Sequence, residues 1–150
     1  MECMKIAIGC DPNAAELKNI LKGFLEEQGQ EVQDLGDEDP IYANTAIDVA
    51  EKVAAGKYDR GLLLCGTGLG VSLAANKVKG AYATVCSDPY SVERSIKSNN
   101  ANILCLGSQV IGVELAKSLL RVWLSNTYEP GGRSQAKIQR IYDYESCESK

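Results

Sequence analysis

Gly61-Leu62-Leu63-Leu64-Cys65 is apolar at every position, and Gly66-Thr67-Gly68-Leu69-Gly70 follows it directly. A strand can bury both faces only where helices cover both, so this run reads as a central strand of a parallel sheet. The pattern repeats outward in both directions. Upstream, Met4–Cys10 is a short apolar run, residues 13–28 carry Leu17, Ile20, Leu21, Phe24 and Leu25 at helical spacing, and Glu31–Gly36 alternates as a half-exposed strand. A helix over 43–55 then leads into the central run. Downstream come a helix over 71–77, a strand over 82–86, a helix over 89–99, a strand over 103–107 and a helix over 112–124 with Trp123 as a core anchor. A last polar helix opens at Gly131-Gly132-Arg133 and covers about 133–145.

Five strand–helix alternations predict an α/β protein: a three-layer α/β/α sandwich, Rossmann-like, around a five-stranded parallel sheet with right-handed crossovers. The 150 residues fit one such domain. Ligands of such sheets bind outside the carboxyl ends of the strands. Asp11, Cys65-Gly66-Thr67, Ser87-Asp88 and Gly107-Ser108 occupy those ends and are expected to converge on one crevice.

Composition narrows the chemistry. Sixteen basic against twenty acidic residues give a net charge of −4, and no basic stripe is present, which argues against nucleic acid as a partner. No apolar run approaches the roughly 20 residues that span a bilayer. The six cysteines form no C-x-x-C pair, and the start leads straight into a strand instead of an export signal, so reduced thiols in the cytoplasm are expected. The chain contains no histidine. His-ligated zinc, Ser-His-Asp and Cys-His catalysis are thereby excluded.

The glycine loop carries the remaining signal. Glycines at 66, 68 and 70 free the backbone N–H groups of the turn to point into one cavity, a nest for an anion. Their G-x-G-x-G spacing is not the G-x-G-x-x-G of dinucleotide sites, and no Lys-Ser/Thr follows as a P-loop requires. Cys65 stands at the mouth of the nest, where a thiolate is favoured and where it suits proton abstraction beside a carbonyl. By position alone Cys65 reads equally as a small core residue, and the glycines as a tight turn. Cys3, Cys86, Cys105 and Cys147 read as core or surface residues without a role.

Cys65-Gly66-Thr67-Gly68-Leu69-Gly70-Val71-Ser72, Ala74-Ala75-Asn76-Lys77-Val78 and Asp88-Pro89-Tyr90-Ser91 resemble the signature stretches of the ribose-5-phosphate isomerase B family, which also contains the galactose-6-phosphate isomerase subunits. The likeness runs in order from Lys5–Asp11, through Asn99–Asn102 and Val110–Gly112, to Gly131–Arg133. It implies a flavodoxin-like strand order, and a homodimer or tetramer with active sites between subunits. It also implies aldose–ketose isomerisation of a sugar phosphate through an enediolate, with no metal or organic cofactor. By the same resemblance Cys65 is the base that moves a proton between C1 and C2, and Thr67 assists ring opening. The amides of Gly66, Gly68, Leu69 and Gly70 hold the enediolate oxygen. Asp11 and Asn99 contact substrate hydroxyls, and Tyr42 stands near the family's loop tyrosine. Arg133 and Lys137, four apart on one helical face, grip the phosphate from the neighbouring subunit.

Three histidines common in the family are replaced here by Pro12, Ser98 and Ser134, and an arginine by Gln109. The histidine before Asn99 helps open a cyclic sugar, and a general acid/base contributes about 10²–10⁴-fold. A tetrose 4-phosphate forms no furanose, because its O4 carries the phosphate. The missing histidines therefore point to an open-chain tetrulose 4-phosphate. Asp39-Pro40-Ile41-Tyr42-Ala43-Asn44, Glu93-Arg94-Ser95 and Ser98-Asn99-Asn100-Ala101 also resemble the erythrulose-4-phosphate branch more than the ribose branch. Ribose 5-phosphate and a six-carbon sugar phosphate are the alternatives. Two rivals of other classes are a non-catalytic sugar-phosphate-binding subunit, disfavoured by the presence of Cys65 and Thr67, and a flavin or nucleotide domain, disfavoured by the loop spacing.

Overall fold

Strands and helices alternate as the apolar periodicity predicts. A computed structural model describes residues 2–147. The strands are β1 (Lys5–Cys10), β2 (Glu31–Asp34), β3 (Arg60–Cys65), β4 (Ala83–Val85) and β5 (Ile103–Gly107). The helices are α1 (Ala15–Glu27), α2 (Tyr42–Ala54), α3 (Leu69–Ala75), α4 (Pro89–Lys97), α5 (Val113–Ser125) and α6 (Gln135–Ser146), with a 3-10 turn at Pro12–Ala14. Every strand pairing is parallel. All six residues of β3 are buried, as a strand covered on both faces must be.

The sheet order is β2-β1-β3-β5-β4. Flavodoxin order runs 2-1-3-4-5, so the last two strands are exchanged relative to that expectation. Burial supplies the reason. Ile103–Gly107 is buried throughout and belongs inside the sheet, whereas β4 is three residues long with Thr84 and Val85 half-buried, which suits an edge. The connections moving one way across the sheet place α1 and α4 on one face; those moving the other way place α2 and α3 opposite. A single crossover hand requires this. Two apolar cores result. One joins α1, α4 and α5 through Leu21, Phe24, Ile96, Leu120 and Trp123. The other joins α2 and α3 through Val49, Val53, Val71 and Ala75.

Trp123 is 1% exposed, with the buried Arg60 guanidinium over its ring at 5.4 Å. Two element starts differ from expectation. Helix α3 begins at Leu69 instead of 71, because Gly68, at φ +82°, reverses the chain into the helix two residues earlier. Helix α6 begins at Gln135, so Arg133 lies in the turn ahead of it. The helical face expected to pair Arg133 with Lys137 is therefore not formed. No helix among the described residues is long and apolar enough to cross a membrane.

Candidate active site

The β3 ladder fixes where its thiol ends. Cys65 is the last residue of β3 and pairs with Gly107 of β5. The backbone then turns back over the end of β5: a side-chain carbon at Gly107 would stand 2.7 Å from the Thr67 carbonyl, and one at Gly68 would stand 3.0 Å from that of Leu106. Ser108 N donates to Cys65 O and Gln109 N to Gly66 O, both at 2.9 Å, tying the loops after β3 and β5 together. Within this clamp Gly68 N donates to Cys65 Sγ at 3.1 Å. Cys65 is 6% exposed, at the rim of the core rather than sealed beneath it.

Two of the five loop amides are committed internally, which corrects the expectation that all of them face a ligand. Gly68 serves the sulfur, and Leu69 N donates to Thr67 Oγ1 at 3.2 Å. Thr67 itself is exposed. Three other thiols are buried in the core. Burial pushes Cys10 up to about 12, against the opposing pull of the Lys18 ammonium. Burial likewise raises Cys86 and, most strongly, Cys105. These three stay protonated and unreactive.

Asp11, at the end of β1, is buried, and its Oδ1 has no partner among the described residues. Ser108 Oγ, at the end of β5, is equally without one. Leaving such an atom unsatisfied costs about 1–3 kcal/mol, which a polar ligand in the crevice would offset. Tyr42, at the first turn of α2, lays its ring on Gly70: a side-chain carbon there would stand 2.5 Å from Tyr42 Cζ and 2.9 Å from its Oη. Asp39 sets up that turn, accepting from Ile41 N at 2.8 Å and from Asn44 Nδ2 at 2.9 Å. Gly70→Ala is expected to swing the half-exposed ring aside and raise KM by roughly 2- to 10-fold, the worth of one hydrogen bond. Steady-state kinetics of Gly70→Ala, Tyr42→Phe and the double variant check this, since the double should be no worse than either single.

Asp11, Tyr42 and the loop from Cys65 to Gly70 thus come together at the carboxyl ends of β1 and β3. Ser87-Asp88 does not join them. Asp88 caps α4, accepting from Ser91 N at 2.8 Å and from Ser91 Oγ at 2.6 Å, and β5 separates its strand from β3. Asn99 lies elsewhere as well. It follows α4 and precedes β5, at the amino end of the sheet, roughly 15 Å from Cys65 by the length of a five-residue strand. Arg133 and Lys137 are exposed and make no side-chain hydrogen bond or ion pair among the described residues. Gln109, which stands where the family has an arginine, makes a contact that the sequence does not announce. Its carboxamide lies over Gly66, with Oε1 3.2 Å from where a side-chain carbon would stand. Its place two residues after a central strand was the available signal.

This geometry defines a class: a helix-wrapped parallel sheet with a thiol-bearing small-molecule site at the carboxyl ends of its central strands. Residues 6–141 match the family model described as Ribose/Galactose Isomerase. The chain is 47% identical to D-erythrulose-4-phosphate isomerase 2 of Mycolicibacterium smegmatis, over 96% of this chain and 99% of that one. It is 46% identical to ribose-5-phosphate isomerase B of Escherichia coli, over 91% and 93%. The Clostridium thermocellum ribose-5-phosphate isomerase B structure superposes with a TM-score of 0.89 at 40% identity, covering 95% of this chain and 98% of that one. The chain belongs to the ribose/galactose isomerase family, and is by that membership a sugar-phosphate isomerase.

Proposed function

We propose that the chain interconverts an open-chain tetrulose 4-phosphate and its aldose, with Cys65 as the base. Cys65, as thiolate, takes a proton from C1 of the ketose, and the C–H electron pair becomes the C1–C2 double bond of an enediolate. The charge then rests on O2, within reach of the uncommitted amides of Gly66, Thr67 and Gly70. A proton passes from O1 to O2, and the Cys65 thiol returns its own proton to C2, leaving a carbonyl at C1. The observation that carries this reading is the sulfur held by the Gly68 amide in a loop clamped to β5. The unpartnered Asp11 Oδ1 is placed to take a substrate hydroxyl.

Overall identity does not separate a four- from a five-carbon substrate, at 47% against 46%. Residue chemistry does. Pro12, Ser98 and Ser134 cannot transfer a proton near neutral pH as histidine does, so ring opening loses its histidine acid/base and a sugar that never closes is favoured. Purified enzyme should show a kcat/KM for erythrulose 4-phosphate at least about tenfold above that for ribose 5-phosphate, given the usual weight of one acid/base. A preference for ribose 5-phosphate would sink the assignment.

The reading also requires a second copy. Asn99 cannot reach Cys65 of its own chain across the sheet, so it serves the crevice of a partner, together with Arg133 and Lys137. Around the crevice, Ile41, Leu69 and Leu73 are about 60% exposed or more. Apolar side chains grouped in this way favour burial against another subunit.

A further inference from the structure

Beneath Asn99, at the amino end of the sheet, lies a polar cluster that the proton-transfer chemistry leaves unused. Asn100 is the one non-glycine residue with positive φ among those described, at +49°. Its Nδ2 donates to Tyr142 Oη of α6 at 3.3 Å. The Tyr142 ring meets that of Tyr82 at 5.2 Å between centroids, tilted by 55°. Tyr82 Oη in turn donates to Glu145 Oε2 at 2.6 Å, and Gly80 N donates to Glu145 Oε1 at 3.2 Å. From the other side, Asn102 Oδ1 accepts from Tyr82 N at 2.8 Å and its Nδ2 donates to Gly80 O at 3.0 Å.

Helix α6 buries only Ile138. One apolar side chain fixes neither the rotation nor the slide of a twelve-residue helix, so the polar cluster must set its seat. Asn100 takes the left-handed position that closes α4, its N donating to Ile96 O at 3.0 Å and Ala101 N to Ser95 O at 2.8 Å, which leaves its side chain free to meet Tyr142 of α6. The contact fastens the loop after α4, which holds Asn99, to α6, which carries Lys137 and is preceded directly by the turn that holds Arg133.

We infer that the Asn100–Tyr142 contact, backed by Tyr82 and Glu145, is a positioning device that presents Asn99, Arg133 and Lys137 as one unit to the substrate in a second copy's crevice. This rests on the reading above, in which those three residues meet the substrate. The cluster touches neither substrate nor thiol. Its loss therefore weakens binding in ground and transition states alike, which raises KM and spares kcat.

Tyr142→Phe keeps the ring contact and removes the hydroxyl; Asn100→Gly keeps the positive φ and removes the amide. Each should raise KM for the preferred sugar phosphate roughly 2- to 10-fold and leave kcat within about twofold. The double variant should be no worse than either single, as coupled partners require. A merely structural contact would instead lower Tm and leave KM alone. That outcome, or additive effects of the two changes, overturns the inference. Asn99→Ala and Arg133→Ala are the controls. If they leave KM unchanged, the reading of the substrate contacts falls, and this inference with it. If they raise KM while Tyr142→Phe does not, the positioning inference alone falls.

Discussion

Cys65→Ala should lower kcat by about 10²–10⁴-fold, the usual contribution of a positioned acid or base, while the protein still folds and still binds its sugar phosphate. The fold survives because the exchange removes a single sulfur at the edge of the core, where Cys65 is 6% exposed. The loop is held independently by Ser108 N on Cys65 O and Gln109 N on Gly66 O. What disappears is the atom on which Gly68 N–H converges. Cys65→Ser keeps an acceptor for that amide, but an alcohol is a far weaker acid than a thiol and supplies no anionic base, so it should be nearly as inactive. Calorimetric binding beside initial rates separates chemistry from affinity. Turnover within tenfold of the parent enzyme would remove Cys65 from the mechanism.

The same variant tests the shared site. Mixing inactive Cys65→Ala with impaired Asn99→Ala should restore about a quarter of the parent activity in a symmetric dimer. Half the dimers are then hybrids, and one of the two sites in each hybrid has both residues intact. No recovery after subunit exchange would place Asn99 outside the partner's site.

The second large effect concerns stability. Lys18 is 1% exposed, and its Nζ lies 2.6 Å from both Asp34 Oδ2 and Asp37 Oδ2. It joins α1 to the end of β2 and the loop that leads on to Tyr42. Asp34 Oδ1 also accepts from Gly36 N at 2.9 Å, and Gly36 O takes Cys10 N at 3.1 Å. Lys18→Met leaves two carboxylates facing one another without a cation. Breaking a buried pair costs about 3–5 kcal/mol; each aspartate is 28% exposed, which places the loss near the lower end. At about 2–4 °C per kcal/mol for a chain of this size, Tm should fall by about 6–12 °C. Burial by itself would lower the Lys18 pKa, but the hydrogen bonds it donates to Asp34 and Asp37 outweigh it, and the net shift is upward. The stabilisation is therefore fully present below the unfolded value, about 10.4, and is lost as pH rises through the folded one. On the alkaline side, parent and variant should converge only in strong alkali. A variant as stable as the parent at pH 7 would show that the pair contributes nothing.

Particular residues show how far the sequence reaches. The unbroken apolar run ending at Cys65 predicted a central strand, and that is where β3 lies. Of Leu17, Ile20, Leu21, Phe24 and Leu25, whose 3–4 spacing predicted the apolar face of α1, all but Ile20 are buried. Glycines 66, 68 and 70 marked the loop, and residues 11 and 65 meet because both end parallel neighbours. Each of these properties is local, since the spacing of apolar positions along the chain states which face an element buries. Strand order is another matter, because it depends on which apolar strand wins the interior. Ile103–Gly107, buried at all five positions, displaces the shorter β4 to the edge, and Ser87-Asp88 moves away from the crevice with it. The ring of Tyr42 on Gly70, the carboxamide of Gln109 over Gly66 and the two carboxylates on Lys18 are contacts between residues 16 to 43 positions apart. Nothing in the chain's periodicity records them, because periodicity fixes a residue's face and not the atom that will stand opposite. Asn99 makes the same point for the site as a whole. The sequence offers the residue only through its resemblance to the family, and only the direction of α4 against the sheet places it at the far end from Cys65, where one chain by itself cannot bring the two together.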